Sequence, residues 1–261
     1  MPDVQILDPP DAAGLHDSTV TVTALATFAR CPRRYFLGDF LGRATTVRRP
    51  LREEETGERD GDEPGAAEFG LEVHALLAGH VGEEPSAEAR ELAARFQSSE
   101  LGRRAARASR AEREFDFLLA IEDTVLRGQI DLWFEEGSEI VLVDYKTDDV
   151  KPEQVEARAE EYAVQLRLYG LAIERVAGRL PAAAFVYFLL PNHAVPVSLG
   201  DGQLAETGRL LNQLREAQET LRFDLREGEH CTRCPFYRGL CPVGGANTRG
   251  QADGISGRFT G

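Results

Sequence analysis

Residues 124–147 read TVLRGQIDLWFEEGSEIVLVDYKT. Two runs rich in β-branched, aromatic and aliphatic residues, Thr124–Phe134 and Glu139–Thr147, flank Glu135-Glu136-Gly137-Ser138. That pattern predicts a β-hairpin turning at those four residues. Strand side chains alternate between faces, so Asp144 and Lys146 share one face, with Val141, Val143 and Tyr145 on the other. The hairpin brings Asp131 beside this strand. Two carboxylates and one amine converging on a face can assist phosphodiester hydrolysis with a metal. Mg²⁺ or Mn²⁺ takes oxygen ligands, polarises a phosphoryl oxygen and helps generate hydroxide. The amine orients the attacking water or stabilises charge growing on the phosphate.

Of the 30 basic residues, only Lys146 and Lys151 are lysines. An ammonium is a compact charge that can shed its proton, which a guanidinium cannot. That gives Lys146 a chemical reason in a chain that otherwise writes arginine. An Asp-x-Lys alone is a weak motif, since a cross-strand ion pair looks the same.

Outward from the hairpin, Glu114–Leu118 is expected as a strand before it, and Ala183–Leu190 and Ala194–Leu199 as short strands after it. Helical spacing covers 68–82, carrying His74, then 86–110, 158–177 and 203–223. Residues 18–42 read as a capped helix entering an aromatic-rich segment, with Phe28, Tyr35 and Phe36 packing the core. The expected fold class is α/β, a mixed β-sheet flanked by helices.

The chain has 261 residues and a net charge of −14, with 42% hydrophobic and 28% charged residues. Part of the negative charge crowds into residues 50–67 (Glu53, Glu54, Glu55, Glu58, Asp60, Asp62, Glu63), expected as an acidic loop. The acidic total weighs against a nucleic-acid partner, but a metal restores positive charge locally. Residues 1–17 and 243–261 are expected to be disordered segments around one domain, 18–242. No apolar run suits a membrane span and no signal peptide is recognisable, so a cytoplasmic protein is expected.

Four motifs in order carry a family resemblance. Gly70-Leu71-Glu72-Val73-His74 is a Gly-x-x-x-His segment. Gly128-Gln129-Ile130-Asp131-Leu132 and Val143-Asp144-Tyr145-Lys146-Thr147 follow, then Gln165-Leu166-Arg167-Leu168-Tyr169, a Gln-x-x-x-Tyr segment. Together they resemble the RecB-type PD-(D/E)XK nucleases. These include the nuclease domains of AddAB and RecBCD helicase–nucleases and the CRISPR adaptation exonucleases. The resemblance runs from about Ser18 to Pro242. It implies a restriction-endonuclease-like sheet and a DNA exonuclease of repair or recombination. It places metal ligands on Asp131, Asp144, His74 and the Tyr145 carbonyl. Lys146 acts on the water or the scissile phosphate. Gln165 and Tyr169, one helical turn apart, support the site or touch DNA.

Cys31, Cys231, Cys234 and Cys241 are the only cysteines. Outside an oxidising compartment such a set reads as a metal or cluster site rather than disulfides. Three of the four precede proline, and the one-plus-three layout resembles the iron–sulfur members of the same family. A 4Fe–4S cluster tying the N- and C-terminal segments together is expected, with tetrahedral zinc as the alternative.

Arg104, Arg107, Arg110 and Arg113 recur every three residues. On one helix they would form a stripe for phosphates, or equally a solvated face paired with Glu112 and Glu114. Neither lysine follows a glycine, so no phosphate-binding loop of an ATPase is present. A helicase motor would lie on another polypeptide or elsewhere on a longer one. The rival to an enzyme is a non-catalytic DNA-binding scaffold with the same cysteine-bound group.

Overall fold

The structure is a computed structural model that describes residues 16–42, 66–80, 85–200 and 202–241. The expectations for residues 1–15, 43–65 and 242–261 lie outside the described residues.

Six strands form one mixed sheet. They are β1 (Thr19–Thr21), β2 (Arg110–Ile121), β3 (Thr124–Glu136), β4 (Glu139–Lys146), β5 (Ala183–Phe188) and β6 (His193–Pro196). β2 pairs antiparallel with β3 along its length, β3 with β4 antiparallel, β4 with β5 parallel and β5 with β6 antiparallel. The short β1 runs parallel to β3 at Val125–Arg127. Because β2 fills one edge of β3, β1 and β4 must share the other. β4 takes Leu132–Glu136 of that edge, so no ladder pair reaches β3 residues 128–131 from either. The sheet therefore opens beside Asp131.

Two apolar layers cover the sheet. On one face, α1 (Val22–Arg30), α7 (Ala163–Ala177) and α8 (Gln203–Thr220) bury Leu25, Phe28, Leu166, Ile173, Leu211 and Leu214 against Ile130, Leu142 and Val186. On the other, α3 (Ala66–Ala78), α4 (Ala87–Ser98) and α5 (Glu100–Arg107) bury Val73, Leu77, Leu92, Phe96 and Leu101 against Leu132, Val143, Tyr145 and Tyr187. Burying each such side chain contributes about 1.5–3 kcal/mol. This arrangement bears out the mixed α/β sheet expected from the hairpin.

Local chemistry sets the helix ends. Thr21 caps α1 by accepting from the Ala24 N–H at 3.0 Å. The helix stops at Cys31, whose φ of −154° is extended, because Pro32 disfavours helical geometry in the residue before it. Pro32 then opens the one-turn α2 (Pro32–Tyr35) at the position where a missing N–H costs nothing. α6 (Val155–Glu160) precedes α7 and is separate from it.

Several boundaries differ from expectation. The hairpin turn is two residues, Gly137 and Ser138, because Glu136 and Glu139 already pair. Gly137 supplies the positive φ of 64° that so tight a reversal needs. β2 extends beyond Glu114–Leu118 at both ends, and the expected helix 86–110 breaks at Ser99, which caps α5 by accepting from Gly102 at 3.1 Å. Arg110 and Arg113 therefore lie on β2, and the expected helical arginine stripe does not form. Arg104 instead pairs with Glu136 at 2.8 Å, and Arg110 lies over the Trp133 ring at 4.6 Å.

The α4–α5 corner has almost no slack. A Cβ on Gly102 would fall 2.1 Å from the Phe96 carbonyl oxygen and 2.8 Å from the Gln97 Cα. Neither is a flexible side-chain tip. Gly102→Ala should therefore lower unfolding free energy by about 1–3 kcal/mol, the usual cost of overpacking. Urea denaturation reads it, and an unchanged midpoint would show that the corner yields.

Candidate active site

The ladder between β2 and β3 runs Arg113↔Leu132 and Phe115↔Ile130, which leaves Glu114 opposite Asp131 with no backbone pair between them. The β3–β4 ladder ends at Leu132↔Val143, so one step further sets Asp131 opposite Asp144. Three carboxylates thus stand at one level on three adjacent strands.

Both β2 and β3 also change face at this level. Ile130 packs into the α1/α7/α8 layer, whereas Leu132, two residues on, packs into the α3–α5 layer and Trp133 into the first. On β2, Phe115 and Phe117 face the first layer but Ala111 the second. Strict alternation would keep each pair together. The inversion centres on Glu114, whose φ is 47°, and on Asp131. A non-glycine residue with positive φ is strained, and such strain collects at functional positions.

Asp131 sits at this switch and meets groups from both sides. Its Oδ2 accepts from the Tyr145 backbone N–H at 2.6 Å, where a β3 carbonyl would otherwise stand. Its Oδ1 lies 3.2 Å from His74 Nδ1, and Glu114 Oε1 lies 3.7 Å from the same nitrogen. Ligand atoms of His74, Glu114 and Asp131 all fall within 4.8 Å of one another. Gly70 explains how α3 comes close enough: a Cβ there would lie 3.2 Å from Thr147 Oγ1 at the end of β4.

Asp144 is 1% exposed and faces α7. Gln165 Nε2 donates to its Oδ1 at 3.2 Å and also lies 2.8 Å from the Tyr169 hydroxyl. Lys146 Nζ pairs with Asp144 Oδ2 at 2.6 Å, a charge-assisted contact. The Lys146 ammonium also lies 4.6 Å over the Tyr162 ring. Tyr145 packs on the opposite face against His74 and Phe96, as the alternation along β4 requires.

The electrostatics are those of crowded acids around few cations. Burial pushes the Asp144 carboxyl up to about 6, with Asp131 adding to the rise and Lys146 opposing it. Burial would also raise Asp131, but His74 and Lys146 hold it below the usual carboxylate range. Burial disfavours the His74 imidazolium, yet Asp131 and Glu114 outweigh that and carry it up to about 10. Burial likewise works against the Lys146 ammonium, and Asp144 and Asp131 more than compensate, raising it.

Every residue singled out on the four motifs is thus brought to one neighbourhood. Glu114 is the member that motif reading missed as a ligand candidate. Its signal is positional: it lies just before the apolar alternation of Phe115, Phe117 and Leu119, at the level of Asp131.

All four cysteines line one small cavity together with Phe236. Cys31 is buried and the other three are half-buried. Among the described residues, no three of these thiols come within 4.8 Å of one another. A lone tetrahedral zinc, at a Zn–S distance of about 2.3 Å, would hold its sulfurs about 3.8 Å apart.

Residues 19–242 match the family described as the PD-(D/E)XK nuclease superfamily. The chain is 31% identical over 120 residues to an ATP-dependent helicase/nuclease subunit of Clostridium kluyveri, covering 40% of this chain and 10% of that protein. It is 36% identical over 109 residues to the corresponding helicase/nuclease subunit of Acetivibrio thermocellus, covering 36% of this chain and 9% of the relative. The chain therefore spans about a tenth of the length of these curated relatives. A crystal structure from Eubacterium rectale, provisionally named an exonuclease, shares the fold at a TM-score of 0.50 and 14% identity, over 86% of this chain and 90% of that one. With the family match spanning most of the domain, this chain belongs to the PD-(D/E)XK nuclease superfamily.

Proposed function

We propose that the chain is a divalent-metal-dependent deoxyribonuclease that shortens DNA ends in repair or recombination. The observation that carries this is the ligand group of His74, Glu114 and Asp131, with the buried Asp144–Lys146 pair on the neighbouring strand. Oxygen-rich donors with one imidazole suit Mg²⁺ or Mn²⁺. The residues that would hold the ion are Asp131, Asp144, His74 and Glu114, with the Tyr145 carbonyl as a further oxygen. When bound, the ion supplies Lewis acidity at the phosphoryl oxygen and lowers the pKa of water. Lys146 stands where it can orient the attacking water and stabilise charge on the scissile phosphate. Gln165 holds Asp144 in place and is itself paired with Tyr169.

The named relatives are helicase/nuclease subunits, so a helicase partner, or a helicase elsewhere on a longer polypeptide, fits this reading. For the cysteine cavity we favour a 4Fe–4S cluster over zinc. The one-plus-three spacing, with three of the four cysteines before proline, supports this choice.

End-labelled single- and double-stranded DNA with Mn²⁺ or Mg²⁺ tests the reading. Products should shorten with time, and EDTA should stop the reaction. Intact DNA under every metal condition would overturn it.

A further inference from the structure

Beside the metal-ligand group, between α1, α7 and the segment carrying Cys231 and Cys234, lies a cavity of about 210 Å³. A single water needs only about 10–15 Å³. Arg30, Arg34, Arg158 and Arg233 line it, with Asp148 and Glu161 as its carboxylates. Four guanidiniums against two carboxylates leave a surplus of positive charge, in a chain whose net charge is −14. Glu161 is shared by three of them: it lies 3.3 Å from Arg30, 2.6 Å from Arg158, and also contacts Arg233. Asp148 is occupied at 2.6 Å by both Arg158 and the Tyr162 hydroxyl. Arg233 Nε is buried without a hydrogen-bond partner. Burial above all, with smaller contributions from Arg34 and Arg158, holds Arg30 below its ordinary pKa, and Glu161 and Tyr162 oppose it.

The cavity is joined to the candidate active site through its wall. Gln165 lines it and donates to Asp144, and Tyr162 lines it and faces Lys146. An oxyanion held there would sit on the same side of the sheet as Asp144 and Lys146.

We infer that this arginine-lined cavity is a subsite for a second phosphate of the DNA strand, near but distinct from the phosphate that is cut. The inference rests on the nuclease reading above. Guanidinium forks match phosphate oxygens in pairs, and the partial occupation of Arg30, Arg158 and Arg233 by the shared Glu161 pre-positions those three at little entropic cost. The shared chemistry is a phosphate oxyanion, either an internal phosphodiester or a terminal phosphomonoester.

The test uses the whole chain with a fluorescent single-stranded oligonucleotide. Anisotropy in Ca²⁺ gives Kd, and cleavage in Mn²⁺ gives KM and kcat. Arg34→Gln removes one fork. Thr23→Glu places a carboxylate at the cavity's edge from an exposed first-turn position of α1, where the helix dipole favours acid. Both variants should weaken binding about tenfold, equivalent to about 1.4 kcal/mol. Arg34→Gln should also reduce the salt slope by about one. Neither should change cleavage of thymidine 5′-(p-nitrophenyl phosphate), whose single phosphodiester cannot reach both places. Equal losses on circular and linear strands assign an internal phosphodiester. Losses confined to phosphorylated linear ends assign a terminal phosphate. Unchanged Kd in both variants overturns the subsite, and so does an effect of Arg34→Gln with Thr23→Glu silent, since structural damage would give that pattern. If wild-type protein neither binds nor cuts DNA, the nuclease reading fails and the subsite with it. If it cuts and the variants match it, only the subsite fails.

Discussion

Asp144→Asn should reduce DNA cleavage by about 10³-fold or more, a barrier increase of about 4 kcal/mol, while leaving the protein folded. The substitution keeps the volume of a side chain that is 1% exposed, so no cavity opens in the sheet. It replaces a carboxylate that burial holds at unusually high free energy with a neutral amide. The Gln165 contact at 3.2 Å can persist, because an amide oxygen accepts as a carboxylate does. Two things are lost. One is the anionic charge of a buried carboxylate, which a hard cation needs from its oxygen ligands. The other is the charge that keeps Lys146 protonated against its burial. Both losses act on the chemical step, so kcat should fall further than KM rises. Mn²⁺ titration of the variant should also show weakened binding. A variant that cuts at the wild-type rate with a normal thermal midpoint would remove Asp144 from the mechanism.

The residues that fixed the reading of the chain form a short hairpin. Asp131, Asp144 and Lys146 were legible because alternation in a strand leaves little freedom: Asp144 and Lys146 are two apart, so one face must hold both. Gln165 and Tyr169 were legible for the analogous reason on a helix. Glu114 was not. Its ligand geometry depends on an inversion of β2 and β3 that breaks alternation, and only the register of the folded ladder reveals it. The arginine stripe failed for a related cause. A run of period three reads as one helix, but Ser99 caps a new helix and Arg110 already belongs to a strand. β1 was also missed, since three residues carry too little pattern to separate a strand from a helix cap. Tertiary contact decided each of these, and no local propensity encodes it.

Cys234→Ser should strip the proposed cluster and release the C-terminal segment, with loss of the brown colour as the first readout. Tying residue 31 to residue 231 closes a loop of about 200 residues, worth about 5 kcal/mol in chain entropy by analogy with a crosslink. That is an upper bound, because the two ends are also held by other means. Arg33 N–H donates to the Asp224 carbonyl at 3.1 Å, and Gln218 donates to the Tyr35 hydroxyl at 2.9 Å. Phe36 stacks on Phe223 and Tyr35 lies tilted against the same ring across this junction. Past residue 224 the ties thin to Arg226 donating to the Ala29 carbonyl, Arg233 pairing with Glu161, and Phe236 packing near Gly38. From there the chain to Cys241 has no long helix or strand, and Phe236 is its one buried large apolar side chain among the described residues. A segment with so few buried contacts opens at low free energy once its anchor is gone. Limited proteolysis should therefore cut Cys234→Ser between Leu225 and Cys241 while the sheet stays protected, and the thermal midpoint should fall by several degrees. Because Arg233 leaves with that segment, oligonucleotide binding should weaken in the same variant. Full protection from protease with an unchanged midpoint would show that the four cysteines do not staple the fold.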